Sequence, residues 1–274
     1  MGVVGGATSE VLGKAHQIFP YDKYKKQYKN FENLAESESI FICVPTPMKP
    51  SGEIDYSAIY DSLDLLTSIV KQGDKPLVII RSTAVSGTTD NLEEKYPFHF
   101  VFNPEFLTEK NALQDMLNTN KVIIGANRQE DYEKTKAIYS PLFPKAKYIH
   151  VNRKTAEMIK YVANVTLAGQ IAIANEIYQI CQSVGVDYET VKNTILLDDR
   201  IGRNISVPGP DGDFGFGGKC FPKDINALIY LSRENMYRSY LLEEIWRSNL
   251  TVRKNKDWLN IEGAISEKQH TTQK

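Results

Sequence analysis

The stretch PLVIIRSTAVSGTT, residues 76–89, decides the fold class. Its first half is a nearly continuous apolar run, the pattern of a strand buried on both faces. Its second half is small and rich in hydroxyls, and a helical stretch follows from Gly87. Outward from it, short apolar runs at 1–5, 17–21, 39–45, 98–102 and 121–125 read as further strands. Amphipathic stretches at 56–72, 87–95 and 130–142 lie between several of them. Such alternation predicts a doubly wound α/β domain, a parallel sheet with helices on both faces, over residues 1–150.

The texture changes after His150. Residues 154–185 are rich in Ala, Ile, Glu and Gln and contain no proline. A helix of that length spans about 45 Å, long for a domain helix, and is expected to link domains or build a dimer. Helical stretches follow at 188–197, 223–234 and 240–259, with a Gly- and Pro-dense loop at 206–220 and a polar tail at 262–274 that is expected to fray. The second domain, 151–274, therefore reads as all-α.

Composition narrows the function. The 33 basic and 34 acidic residues leave a net charge of −1 and are mixed along the chain, so no basic stripe argues for nucleic acid. No apolar run approaches the ~18 residues of a membrane span, and the first residues lack the basic and apolar regions of a secretory signal. Cys43, Cys181 and Cys220 are too widely spaced for a disulfide framework or a metal motif. A reduced, cytoplasmic protein without a metal is the expectation.

The sharpest chemical signal is GFGGKCFPKD, residues 215–224. Pro222 suits the first turn of a helix, which places Cys220 at a helix N-terminus, where the dipole favours a thiolate. Lys219 and Lys223 add positive charge, and Asp224 lies four residues on, on the same helical face. An isolated cysteine in a glycine loop is ordinarily inert; the lysines and the helix start argue otherwise here. On the long helix, Lys160 and Asn164 are four apart and form a donor pair suited to a developing oxyanion, although a solvated face reads similarly. In NPEFLTE, Glu105 and Glu109 are candidates for a base and its orienting neighbour, at the end of a strand where ligands bind in open α/β sheets. Two more strand ends, ICVPTP at 42–47 and IIRSTAVSGTT at 79–89, place small hydroxyl residues and prolines where a cofactor lies.

Together these segments resemble the UDP-glucose/GDP-mannose dehydrogenase family. The matching residues are CVPTP with Gly52 and Asp55, RSTAVSGTT, NPEFLTE, AEMIKYVANVTLA with NEI, DDRIGRN and GFGGKCFPKDINAL, in the family's order, across residues 40–231. The resemblance implies a Rossmann-like NAD domain, a helical dimerisation domain, and oxidation of a sugar C6 alcohol to a carboxylate by NAD. It implies that Cys220 attacks the C6 aldehyde and carries a thioester. Lys160 and Asn164 stabilise the oxyanion, Asp224 assists deprotonation of the alcohol through water, and Glu105, with Glu109 beside it, serves hydrolysis. Thr83 falls near the nicotinamide, and Arg200 reaches substrate in a partner subunit. Glu105, Phe106, Leu107, Lys160, Asn164, Phe216 and Gly217 line the substrate. Gly5, Asp22, Val44, Pro45, Thr46, Ser82, Thr83, Glu109 and Lys223 are assigned to the cofactor.

The chain departs from the family in three places. A dinucleotide fingerprint reads G-x-G-x-x-G; in GGATSE, Gly5 takes its first position, but Ala7 and Glu10 stand at the other two, and the helix to Asp22 is short. After NPEFLTE, Lys110 and residues 118–121 replace the family's glycine and Pro-x-Arg. The family's third α/β domain, which holds much of the nucleotide, has no counterpart in these 274 residues. A non-catalytic relative that binds nucleotide or a partner chain therefore stands as the alternative. A simpler hydroxyacid dehydrogenase also uses Lys and Asn on a central helix, but has no need of GFGGKC.

Overall fold

The computed structural model describes residues 1–71, 76–108 and 110–266. The chain divides into two compact units, one formed by 1–46 and 56–160, the other by 47–55 and 161–274. The division falls inside a helix, ten residues beyond the boundary expected at 150.

The first unit is built on a five-stranded sheet in the order β1 (Ser39–Ile42), β2 (Leu77–Ile80), β3 (His99–Phe102), β4 (Lys121–Gly125) and β5 (Lys147–Val151). Neighbours are parallel, except that β3 meets β4 antiparallel at Phe102 and Gly125. Strand side chains alternate between faces, and in β2 all four are buried. Leu77 and Ile79 join one core with Val101, Val122 and Ile124, covered by α1 (Val3–Leu12), α4 (Ala112–Leu117) and α5 (Gln129–Tyr139). Val78 and Ile80 join the other with Ile40, Ile42 and Phe100, covered by α2 (Ser57–Ile69), α3 (Thr88–Lys95) and the start of α6 (Arg153–Val184). A sheet covered on both faces requires apolar residues on both, which is why its central strands read as continuous apolar runs.

Four expected strands are present and two are not. Residues 3–5 open α1, with Gly2 as its N-cap: the short run MGVV carries no period of its own, and the continuation Ala7, Thr8, Val11 and Leu12 buries a helical face. Residues 17–21 form no strand; Ile18 packs on the core from a loop in which Pro20 lacks a ladder donor. The expectation did not include β5, whose burial is only partial and whose sequence, KYIHV, is interrupted by polar residues; it is an edge strand. Nor did it include α4, six residues long.

The second unit is helical. Its first core joins Val165 and Ala168 of α6 to Phe216 and to Ile225 and Ile229 of α8 (Cys220–Glu234), with Ile245 and Trp246 of α9 (Tyr240–Val252) packed against them. A second gathers Ala174, Cys181, Ile205 and Val207 around Tyr188 of α7 (Tyr188–Ile195). Helix α9 ends at Val252, seven residues earlier than expected. The segment expected to fray is docked as far as Ser266: Met48 donates to the Ala264 carbonyl at 2.9 Å and accepts from Ser266 N–H at 3.0 Å. Residues 267–274 lie outside the described residues. Among those described, no helix is long and apolar enough to cross a membrane.

Glu157 of α6 is fully buried in the first unit and receives Gly87 N–H at 2.6 Å, Thr89 N–H at 2.7 Å and the Thr89 hydroxyl at 2.6 Å. It thereby caps the start of α3. Burial pushes its carboxyl up to about 7, against the pull of those donors. A carboxyl raised by folding binds its proton more tightly in the folded state. Its stabilisation is complete below the ordinary carboxylate range and is lost as pH rises through about 7. Urea denaturation from pH 5 to 8 is expected to show wild type losing up to about 3 kcal/mol from this group, with a flatter profile in Glu157→Gln.

Candidate functional site

Each unit holds its own cluster of the residues singled out in the sequence. In the first unit they lie just beyond the carboxyl ends of the strands. After β1, Val44 N–H donates to Ser82 Oγ at 2.9 Å, and Ser82 Oγ–H donates to the Val44 carbonyl at 2.7 Å. Thr46 and Ser82 are buried, Thr83 and Val44 are half-buried, and Pro45 is exposed. Asp22 accepts Tyr24 N–H at 2.9 Å and Lys25 N–H at 3.2 Å, leaving its carboxylate on a turn with partial access to solvent.

Gly5 is placed differently from expectation. It stands in the first turn of α1, where an added Cβ would meet Cys43 Cβ at 3.4 Å. Its use is close packing of helix against strand end, the role that a dinucleotide fingerprint gives its last glycine. Ala7 is in the core, and Glu10 is exposed toward the far end of α1. The helix start is therefore not opposed by that carboxylate.

Beyond β3, Lys160 and Glu105 form a buried ion pair at 3.1 Å, their side chains 6% and 10% exposed. Lys160 also donates to the Glu105 carbonyl at 2.6 Å and stands 5.4 Å above the Phe106 ring. Leu107 N–H donates to the other Glu105 oxygen at 2.7 Å. Glu105, expected as a base, is the counter-ion of Lys160, because a buried ammonium requires one. Glu109 lies outside the described residues.

The strand end that carries Glu105 is held by residues the sequence reading passed over. Buried Arg81 donates to Asn103 Oδ1 at 2.5 Å and to the Tyr139 hydroxyl at 2.8 Å. Tyr139 also donates to Asn103 Oδ1, at 2.6 Å, and Asn103 Nδ2 donates to the Ile123 carbonyl at 2.7 Å. The available signal was an arginine directly after LVII, in a strand otherwise wholly apolar.

In the second unit Cys220 is the first residue of α8 and is exposed. One turn on, Asp224 is buried between two donors: Lys223 Nζ and Asn164 Nδ2, each at 2.5 Å. Lys223 was expected to hold a cofactor, but its side chain is 6% exposed and its ammonium is spent on Asp224. Asn164, one turn after Lys160 on the same face of α6, gives its amide to Asp224. Phe216 is 2% exposed and packs on Phe221 and Trp246 in the core rather than lining a surface. Gly217 lies against the Arg253 guanidinium and Asp257. Arg200 is exposed and paired with Asp198 at 2.5 Å.

Asp224→Ala leaves the Lys223 charge and the Asn164 amide buried without an acceptor. Removing one partner of a buried pair costs about 3–5 kcal/mol. Guanidinium denaturation of Asp224→Ala is expected to show a loss of that size, whereas the exposed Arg200→Ala changes little.

The chain matches two descriptions in succession: the UDP-glucose/GDP-mannose dehydrogenase family NAD binding domain over residues 10–143, and the central domain of the same family over 154–251. It is 38% identical over 224 residues to the UDP-glucose 6-dehydrogenase of Rickettsia bellii (strain RML369-C), covering 80% of this chain and 50% of that one. With the UDP-glucose 6-dehydrogenase of Rickettsia prowazekii (strain Madrid E) it shares 35% identity over 232 residues, 82% of this chain and 51% of the other. Its fold is similar to the structure of a UDP-glucose dehydrogenase from the hyperthermophilic archaeon Pyrobaculum islandicum, with a TM-score of 0.74 and 30% identity over 81% of this chain and 52% of that one. The chain spans about half the length of these relatives. The first match falls on the sheet unit and the second on the helices that carry Asn164, Cys220 and Asp224, so the chain belongs to the UDP-glucose/GDP-mannose dehydrogenase family.

Proposed function

We propose that this chain works as an NAD-dependent nucleotide-sugar 6-dehydrogenase, with UDP-glucose as the first substrate to test ahead of UDP-N-acetylmannosamine and GDP-mannose. The observation that carries the reading is Cys220, exposed at the first residue of α8, with Asp224 held one turn behind it by Asn164 and Lys223. A nucleophilic thiol at a helix start is favoured as thiolate, and a binding module has no use for it.

The residues at the strand ends suit a dinucleotide. Asp22 offers a carboxylate for ribose hydroxyls, and Val44, Pro45, Thr46, Ser82 and Thr83 line the carboxyl end of parallel strands with small groups. Bound there, NAD supplies a hydride acceptor for both oxidations. The chain's own residues do the rest. Asp224 assists removal of the C6 hydroxyl proton through water. The Cys220 thiolate adds to the aldehyde carbon, and Lys160 and Asn164 donate to the resulting oxyanion. Oxidation of that adduct leaves a thioester on Cys220. Glu105 then takes a proton from the water that cleaves it, releasing the carboxylate and restoring the thiol.

The expected partner is a second copy, and the expected compartment is the cytoplasm. Ile173, Ile177, Ile180 and Val184 recur at spacings of four, three and four along α6 and are 40–66% exposed. That spacing makes one apolar stripe on a helix, which suits burial against its own equivalent. Sedimentation is expected to show a dimer for wild type and a monomer for Ile177→Glu/Ile180→Glu.

The activity test follows NADH absorbance with purified protein, NAD and a panel of nucleotide sugars. Roughly two NADH per sugar oxidised are expected, with loss of that turnover in Cys220→Ser. No NADH from any sugar with folded protein would overturn the enzymatic reading in favour of a relative that binds nucleotide or a partner chain.

A further inference from the structure

We infer that Asp257 and Asn249 are positioning residues for the Cys220 thiol, acting through the backbone of the glycine loop and not on substrate. The inference rests on the proposed function only for the role of that thiol.

Cys220 opens α8, so its orientation is set by the loop that precedes it. That loop has almost no regular structure of its own. Its backbone is instead held by side chains from three places. Gly215 N–H donates to Asn175 Oδ1 of α6 at 2.9 Å. Phe216 N–H donates to Asn249 Oδ1 of α9 at 2.7 Å, and Asn249 Nδ2 donates back to the Phe216 carbonyl at 3.0 Å. Gly218 N–H, two residues before Cys220, donates to both Asp257 oxygens, each at 3.1 Å.

Asn249 is 1% exposed, and a buried amide is costly unless both ends are bonded. Here both ends are used on the backbone of one residue, so the side chain acts as a short strand partner for the loop. Gly215 makes the approach possible. Its φ is +65, and a Cβ there would strike Asn249 Oδ1.

Asp257 is held in turn. Arg253 leaves α9 with an extended backbone and pairs with Asp257 at 3.3 Å and with Asp211 at 2.6 Å. It also donates to the Phe214 carbonyl at 3.3 Å. Its side chain is 1% exposed. Arg253 therefore ties the start of the loop to the carboxylate that grips its end.

Two effects of Asp257 on the thiol have opposite signs. As a bare negative charge it disfavours a thiolate, so its removal should make Cys220 more reactive. As an anchor it keeps Gly218 and the first turn of α8 in place beneath the thiol, so its removal should make Cys220 less reactive. The second effect is the inference.

The test is the rate of carbamidomethylation of Cys220 by iodoacetamide against pH, in the full chain, with the modified peptide identified by mass spectrometry. Neither sugar nor cofactor is needed. The other thiols interfere little: Cys181 is buried, and burial pushes Cys43 up to about 11. Asp257→Ala is expected to slow the reaction about tenfold near neutral pH, with the midpoint of the profile raised by about one pH unit. Asp257→Asn keeps an acceptor for Gly218 N–H without the charge, and is expected to stay within about threefold of wild type. Asn249→Ala should resemble Asp257→Ala. Should it fail to fold, the half-buried Asp257 pair decides alone. A folded Asp257→Ala that reacts as fast as wild type or faster would overturn the inference, as would a lowered melting temperature with an unmoved pH profile. Absence of NADH production together with the expected alkylation shifts would overturn the dehydrogenase reading and leave the positioning intact.

Discussion

Helix α6 begins on buried charge, and much of what matters in this protein is referred to that start. Arg153, 4% exposed, donates to Asp90 at 2.6 Å and to Glu93 at 2.5 Å on α3, and Glu157 caps the same helix from one turn later. Two residues of α6, Arg153 and Glu157, are thereby tied to α3 before α6 has completed two turns. Spacings of four, three and four then carry Lys160 and Asn164 along the same face. All four polar side chains are more than nine-tenths buried. A helix with such a stripe cannot rotate without stranding charge away from water, and that penalty fixes its register.

The same rule explains how the chemical groups are held. Lys160 has Glu105, and Asp224 has Lys223 and Asn164. Lys160, Glu105 and Asp224 each have an opposite charge and at least one further hydrogen bond, the condition under which burial of ions is tolerable. The consequence for chemistry is that none of these groups acts alone. Glu105 is tied to the ammonium that the proposed mechanism needs, and the amide of Asn164 is tied to the carboxylate needed for the alcohol. For the proposed reaction to use these groups, each must exchange its partner for a substrate atom, and until then the pairs hold them charged and oriented.

The thiol is treated differently. Cys220 is exposed, and the loop that precedes it is ordered by capture of its backbone. The residues that do this, Asn175, Asn249, Arg253 and Asp257, come from α6, α9 and the segment after it. Early termination of α9 at Val252 belongs to the same design. A continued helix would carry Arg253 and Asp257 onward with it, whereas the extended backbone at Arg253 turns them back to the loop.

Local sequence determined the elements that are strongly periodic or strongly apolar. Strands β1 to β4 and helices α2, α3 and α5 to α8 follow from runs of Ile, Val and Phe, from helical spacing, and from breakers such as Gly87 and Gly185, because those signals act over a few residues. The residues named for chemistry, from Lys160 to Asp224, were likewise visible as motifs. Tertiary structure alone decided what had no local signature. It made 3–5 the start of a helix, since so short a run has no period and only the sheet beneath chose the face. It made KYIHV an edge strand, half-buried and therefore not wholly apolar. It also chose the partners: that Glu105 answers Lys160, that Lys223 is spent on Asp224, that Phe216 is core, and that Asn249 and Asp257 grip a loop more than thirty residues away in sequence. Periodicity records which face a residue occupies, but the partner that satisfies a buried polar group depends on distances between segments far apart in the chain, and only the folded chain sets those.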